Sequence, residues 1–142
     1  MAQSLVCTLI TPDAKVFEQT VSHASIPAWD GQIGLLPRRA PLLVKLGDGL
    51  LRLDLPEGRI RHYFLGGGFA QMKDDRLTLL TSEAIDESEA DRGQAQAALA
   101  EAQSRRALSD EEVEQRDRAA RRARALIELA GFASAKGGRS SG

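Results

Sequence analysis

RLTLLTSEAIDESEA, residues 76–90, changes character halfway along. Arg76 to Thr81 alternates apolar and polar side chains, the period of a half-buried strand. Asp86-Glu87-Ser88-Glu89 then places an Asx residue three before a glutamate, the reciprocal capping device that opens a helix. The chain therefore joins two architectures near Ser82, strands before it and helices after it.

On the strand side, β-branched residues and leucines recur in short runs separated by turn residues, the spacing of an all-β sandwich. Leu5 to Ile10 is expected as a strand, ended at Thr11-Pro12-Asp13 because proline cannot continue a ladder. Lys15 to Ile26 reads as two further strands. Pro41 to Leu46 is expected to stop at a Gly47-Asp48-Gly49 turn. Leu50 to Leu55, with leucines on one face and charges on the other, should turn back at Pro56-Glu57-Gly58. Ile60 to Leu65, Phe69 to Lys73 and Arg76 to Thr81 complete the series, the last two joined by a tight Asp74-Asp75 hairpin.

On the helix side a first helix is expected from about Glu87 to Ala107. A second, opened by Ser109 and Glu112, should run from about Asp110 to Ala130 and close at Gly131 in a left-handed cap. Only Leu108 and Ser109 separate them, so they should return as an antiparallel hairpin. The apolar faces are Ala95, Ala98, Leu99 and Ala102 on the first and Ala119, Ala123, Leu126 and Ala130 on the second, with Val113, Ala120 and Ile127 alongside. Burying an alanine is worth on the order of 1 kcal/mol and a leucine about two to three times that. Helix propensity is thus high and docking weak, the recipe for a mobile element.

Composition narrows the function. Lys plus Arg number 19 against 20 Asp plus Glu among 142 residues, so the net field favours neither nucleic acid nor an anionic membrane. Cys7 is the single cysteine, which excludes an intrachain disulfide and a zinc cluster and leaves a small buried hydrophobe. No apolar run reaches the ~20 residues of a membrane span, and MAQSLVCTLITPD has neither a basic nor a long apolar leader region; a soluble, cytosolic start is expected.

Catalytic motifs are missing. Gly66-Gly67-Gly68 lacks the lysine, hydroxyl and following helix of a Walker loop, so a bulge or close strand crossing is expected there. His23 and His62 have no companion at metal-ligand spacing, and no Ser-His-Asp or Cys-His pairing is readable. No metal, cofactor or active site is expected.

Binding is a different matter. DGQIGLLPRRAPLL, residues 30–43, puts large apolar residues beside Arg38-Arg39 and two prolines. Pro37 and Pro41 keep Leu36 to Ala40 out of a central ladder, which is how a sheet edge offers an apolar patch ringed by charge to another protein. The second basic feature is Arg116, Arg118, Arg121, Arg122 and Arg124. Glu112, Glu114 and Asp117 stand four before Arg116, Arg118 and Arg121 in the favourable order, as on a solvated face. Arg122 and Arg124 have no such acid, leaving a stripe able to meet an acidic partner.

Residues 31–43 resemble the signature G-x-[IL]-G-[ILV]-x-P-x-H-A-P-L-L of the epsilon-subunit family of rotary ATP synthases. Tyr63 to Phe69 and Leu77 to Leu80 are similar to that family's F-[LV]-x-G-G-[FI] and V-x-[VI]-L strands. The resemblance covers Leu5 to about Ala84, and the helices by pattern only.

What it implies is a flattened N-terminal β-sandwich (residues 1–84) and a C-terminal two-helix regulatory hairpin (85–133); the Gly- and Ser-rich composition of the remainder predicts a flexible tail (134–142). In the family this is a rotor part of the central stalk, at the cytoplasmic face of the bacterial plasma membrane, without inserting into it. Residue-for-residue matching turns Asp30, Gln32 and Arg38 toward the c ring and Thr11, Arg39, Ala40, Pro41 and Val44 toward gamma. The hairpin would brake ATP hydrolysis when extended, its arginines meeting acidic segments of the alpha and beta catalytic subunits. Two positions depart. Arg39 replaces the family's histidine, so a contact there becomes bidentate and permanently charged. In the ATP-binding pattern I-D-x-x-R-A, Ile85, Asp86, Glu89 and Ala90 put glutamate where the arginine would be, so little or no ATP binding is expected. The rival reading is a stand-alone β-sandwich module binding protein or carbohydrate, disfavoured by an aromatic content of 4%.

Overall fold

The computed structural model describes residues 3–140, with side chains through residue 135. The chain divides at Ile85/Asp86 into two compact units.

The first unit is a β-sandwich of β1 (Leu5–Ile10), β2 (Lys15–Val21), β3 (His23–Ala28), β4 (Gly31–Leu35), β5 (Leu42–Asp54), β6 (Ile60–Lys73) and β7 (Arg76–Leu80), with a short β8 (Ala84–Asp86) at the boundary. Their order is β2-β1-β7-β6-β5-β3-β4, with β8 beside β6. Along this order β1 and β7 pair in parallel and the other neighbours are antiparallel. The alternation seen in the sequence fills one core: Leu5, Cys7 and Leu9 of β1, Leu51 and Leu53 of β5, and Leu77 and Leu79 of β7 are all essentially sealed from water. Each such leucine contributes about 2–3 kcal/mol.

One expected turn does not exist: β5 runs unbroken through Gly47-Asp48-Gly49. β6 runs through Gly66-Gly67-Gly68, joining two expected strands into one. The two glycine-rich stretches lie opposite each other, Leu46 pairing with Gly68 and Asp48 with Gly66. Gly47 and Gly49 leave room for residues 27–29, which pass close by. A Cβ on Gly47 would stand 3.2 Å from Trp29 Cα, and one on Gly49 2.8 Å from Pro27 Cβ. Gly67 (φ 71°) and Gly68 (φ 118°) add the distortion expected of a bulge. The Asp74-Asp75 hairpin forms as expected, both residues at positive φ (52° and 59°), the pattern of a two-residue turn matched to strand twist.

The second unit holds α1 (Arg92–Ser104) and α2 (Asp110–Ser140), packed as a hairpin. α1 is shorter than expected. The Asp86/Glu89 capping box forms, but it closes only a single 3-10 turn, Glu87–Glu89; Ala90 is extended, and Asp91 caps the helix proper by accepting from the Gln94 N–H at 3.0 Å. Residues 105–109 connect the helices, with Ser109 Oγ accepting from the Glu112 N–H at 3.1 Å. α2 does not stop at Gly131, which keeps a helical φ where the missing side chain leaves room for Arg92 Nη2, 3.3 Å from an ideal Cβ. It continues through residues 134–140 of the expected tail, ending at Ser140; residues 141 and 142 lie outside the described residues. Ala95, Ala102, Ala120, Ala123 and Ala130 are buried as foreseen, and Leu129 joins them. Ala98 is exposed instead, although helical spacing puts it on the same flank of α1 as Ala95 and Ala102.

Candidate functional site

The turn Trp29-Asp30 leads into Gly31 (φ 137°) and turns β3 back into β4. Asp30 and Gln32 are exposed there, and Gln32 Nε2 donates to the Leu50 carbonyl at 3.0 Å. Trp29, 68% exposed at the same tip, was not singled out by sequence. Ile33 packs on the core and Leu35 is sealed, while Leu36 is exposed, so the greasy run is divided between interior and surface.

Pro37 and Pro41 hold residues 36–41 out of any ladder, as expected. Within this loop Arg38 takes a left-handed backbone (φ 67°), and its N–H donates to Asp75 Oδ1 at 2.6 Å. Arg38, Arg39, Ala40 and Pro41 are all exposed. Thr11 ends β1, its N–H donating to the Ala14 carbonyl at 3.0 Å. Val44 is half-buried: strand alternation turns it onto the core and leaves its neighbours Leu43 and Lys45 outside.

Those neighbours belong to a surface that the sequence did not disclose. Cross-strand register lines up Lys45, Phe69, Leu80, Ile10 and Lys15 on the outer face of β5, β6, β7, β1 and β2. Phe69 is 54% exposed, Leu80 50%, and Leu43, two residues along β5, 73%. Only pairing across four strands assembles this patch, so no linear motif encodes it.

The remaining candidates serve structure. His23 Nδ1 donates to Asp54 Oδ2 at 3.0 Å, Arg52 Nε lies 3.1 Å from the other oxygen, and the ring fills the space left by Gly34. Burial pushes the Cys7 thiol up to about 12. Among the described residues no three His, Cys, Asp or Glu side chains are placed to hold a metal, and no helix is long and apolar enough to cross a membrane.

In the hairpin, Arg116 reaches Asp117 (3.4 Å) and Arg121 reaches Glu114 (3.6 Å) in place of the expected partners one turn back. Arg118 and Arg122 are engaged as well. Arg116, Arg121 and Arg124 line an open groove of about 380 Å³ with Ala102 and Ala120. At the motif remnant, Asp86 Oδ1 accepts from the Ser88 N–H and Glu89 Oε1 from the Asp86 N–H, each at 3.0 Å. Half-buried Ile85 precedes this box and Ala90 closes it, its N–H facing the Glu87 carbonyl. The box occupies both carboxylates with backbone and offers a phosphate no cation.

Residues 4–87 match the family described as the β-sandwich domain of the ATP synthase delta/epsilon chain. The ATP synthase epsilon chain of Rhodopirellula baltica is 37% identical over 124 residues, 87% of this chain and 96% of that protein. A chain in the cryo-EM structure of the Euglena gracilis mitochondrial ATP synthase (OSCP/F1/c-ring) superposes with a TM-score of 0.80 at 25% identity, covering 89% of this chain and 80% of that one. One in the Tetrahymena thermophila mitochondrial central stalk and c ring reaches 0.66 at 13% identity, over 89% and 96% of the two chains; that likeness is one of fold.

Proposed function

This chain belongs to the ATP synthase delta/epsilon family, and we propose that it is the epsilon subunit of the central stalk, a rotor part that transmits torque and has no active site of its own. It would couple ATP synthesis and hydrolysis to proton or sodium transport from the cytoplasmic face of a bacterial plasma membrane; its similarity to a bacterial epsilon chain supports that placement.

The observation that carries the reading is the outward-facing apolar row of exposed Phe69 and Leu80 and half-buried Ile10, with exposed Leu43 beside it, ended by Lys45 and Lys15. Exposed side chains of this size, contiguous on a sheet face, are what a stable protein interface covers. The row begins beside the exposed loop 38–41 and ends beside Thr11, so the gamma subunit would lie across it, gripping Thr11, Arg39, Ala40 and Pro41 at its margins. Val44 supports that face from within. Asp30, Gln32 and Arg38, with Trp29, would form the margin toward the c ring.

In the hairpin, an alanine interface inside a 13-residue and a 31-residue helix is suited to a two-state element, each helix persisting when the pair opens. Opened, α2 would carry Arg116, Arg118, Arg121, Arg122 and Arg124 toward acidic segments of the catalytic subunits and brake hydrolysis. Ending the chain at Ala90 keeps β8 and its capping box. In the assembled complex this truncation should leave gamma and the c ring bound and raise the ATPase rate. An unchanged rate refutes the brake, and loss of the subunit from the complex refutes the docking role of the sandwich.

A further inference from the structure

We propose that Asp75 is a positioning residue that sets the Arg38–Pro41 loop for docking, and that its carboxylate is the reason an aspartate stands at that turn. The proposal rests on the reading that this loop meets a partner.

Arg38 is one of only four non-glycine residues at positive φ among those described, and two of the others are Asp74 and Asp75 themselves. A long side chain in the left-handed region is strained and persists where its surroundings impose it. Here the imposing contact is one hydrogen bond: Arg38 N–H to Asp75 Oδ1, 2.6 Å. The charged acceptor makes it strong. Asp75 is itself anchored, because its carbonyl accepts from the Val6 N–H at 2.9 Å. The residue thus joins the start of β1, the β6–β7 turn and the loop.

The turn has no need of this side chain. A two-residue hairpin with both φ positive is best served by Asn or Asp followed by glycine, which meets the second position without steric cost. Asp74-Asp75 accepts strain at both positions and sets two like charges side by side. What aspartate adds at 75, and glycine lacks, is the acceptor that fixes Arg38. Arg38 and Arg39 are then held in a set loop bounded by Pro37 and Pro41, so a partner meets a formed cationic edge and need not order it.

The test uses the full chain and three measurements on Asp75→Gly and Asp75→Asn. Glycine should leave the thermal midpoint unchanged or raise it, speed exchange of the Arg38 amide about tenfold or more by NMR, and weaken binding to purified gamma about tenfold. Asparagine, which keeps Oδ1 and tolerates the left-handed backbone, should hold both exchange and affinity within about twofold of wild type. A purely structural role would lower the midpoint and affinity together. Unchanged Arg38 exchange in Asp75→Gly overturns the positioning role whatever gamma does. Faster exchange with undiminished affinity leaves that role standing and removes the loop from the interface.

Discussion

Gly68 lies directly against the backbone of Leu80: a Cβ at position 68 would stand 1.8 Å from the Leu80 carbonyl oxygen. Its φ of 118° also falls where side chains are strained. Both effects act on a β6–β7 pairing that carries Met72, Leu77 and Leu79 into the core. Gly68→Ala should therefore destabilise the chain by about 3 kcal/mol or more, read as a lowered midpoint in urea. Gly58→Ala, which meets open space, should cost only its positive-φ strain of about 1 kcal/mol.

Phe69 and Leu80 face each other across the same two strands, half in water. Phe69→Ser should change stability by less than about 1 kcal/mol while reducing affinity for gamma at least about tenfold. Circular dichroism and titration calorimetry on one preparation separate the two effects.

Cys7 should be chemically silent in the native chain, because the thiolate is the reactive form and burial pushes the thiol from 9.0 up to about 12. Iodoacetamide at pH 8 should label it only after denaturant is added. The sign of the linked stability follows from the raised native value. Below pH 9 both states keep the proton and the contribution is fully present. Between pH 9 and 12 the unfolded chain releases it first, so stability falls by up to about 1.4 kcal/mol per pH unit. Cys7→Val should lack that component, visible as a smaller loss of urea midpoint from pH 8 to 10.5.

The hairpin should open before the sandwich. Its buried face is mostly alanine, whereas β5, β6 and β7 seal Leu51, Leu53, Phe64, Leu65, Leu77 and Leu79. Native-state hydrogen exchange should give α1 amides an opening free energy at least about 2 kcal/mol below that of β6 amides. Equal values would show that the two units open together.

Much of this was legible in the residues, for physical reasons that also mark where legibility ends. Leu5 to Ile10 alternates and has proline behind it, so β1 could be read to the residue. Gly47-Asp48-Gly49 looks like a turn because glycine serves both turns and close crossings, and only the neighbouring Pro27 and Trp29 reveal which. Asp86 and Glu89 carry a real capping box, but a box does not state how long its helix is, and Asp91 takes over as the true cap. Gly131 signals a stop that the helix ignores, because glycine accepts a helical backbone as readily as a left-handed one. The loop 36–41 could be found from its prolines. The patch of Leu43, Phe69, Leu80 and Ile10 could not, since those residues are brought together only by register.

Titration of the purified full chain with purified gamma subunit tests the central claim most directly. The account predicts a one-to-one complex that survives gel filtration, with the Leu43, Phe69 and Leu80 side chains becoming protected from hydroxyl-radical labelling. A chain that stays monomeric beside gamma, with the Phe69–Leu80 face labelled as readily as before, would contradict it.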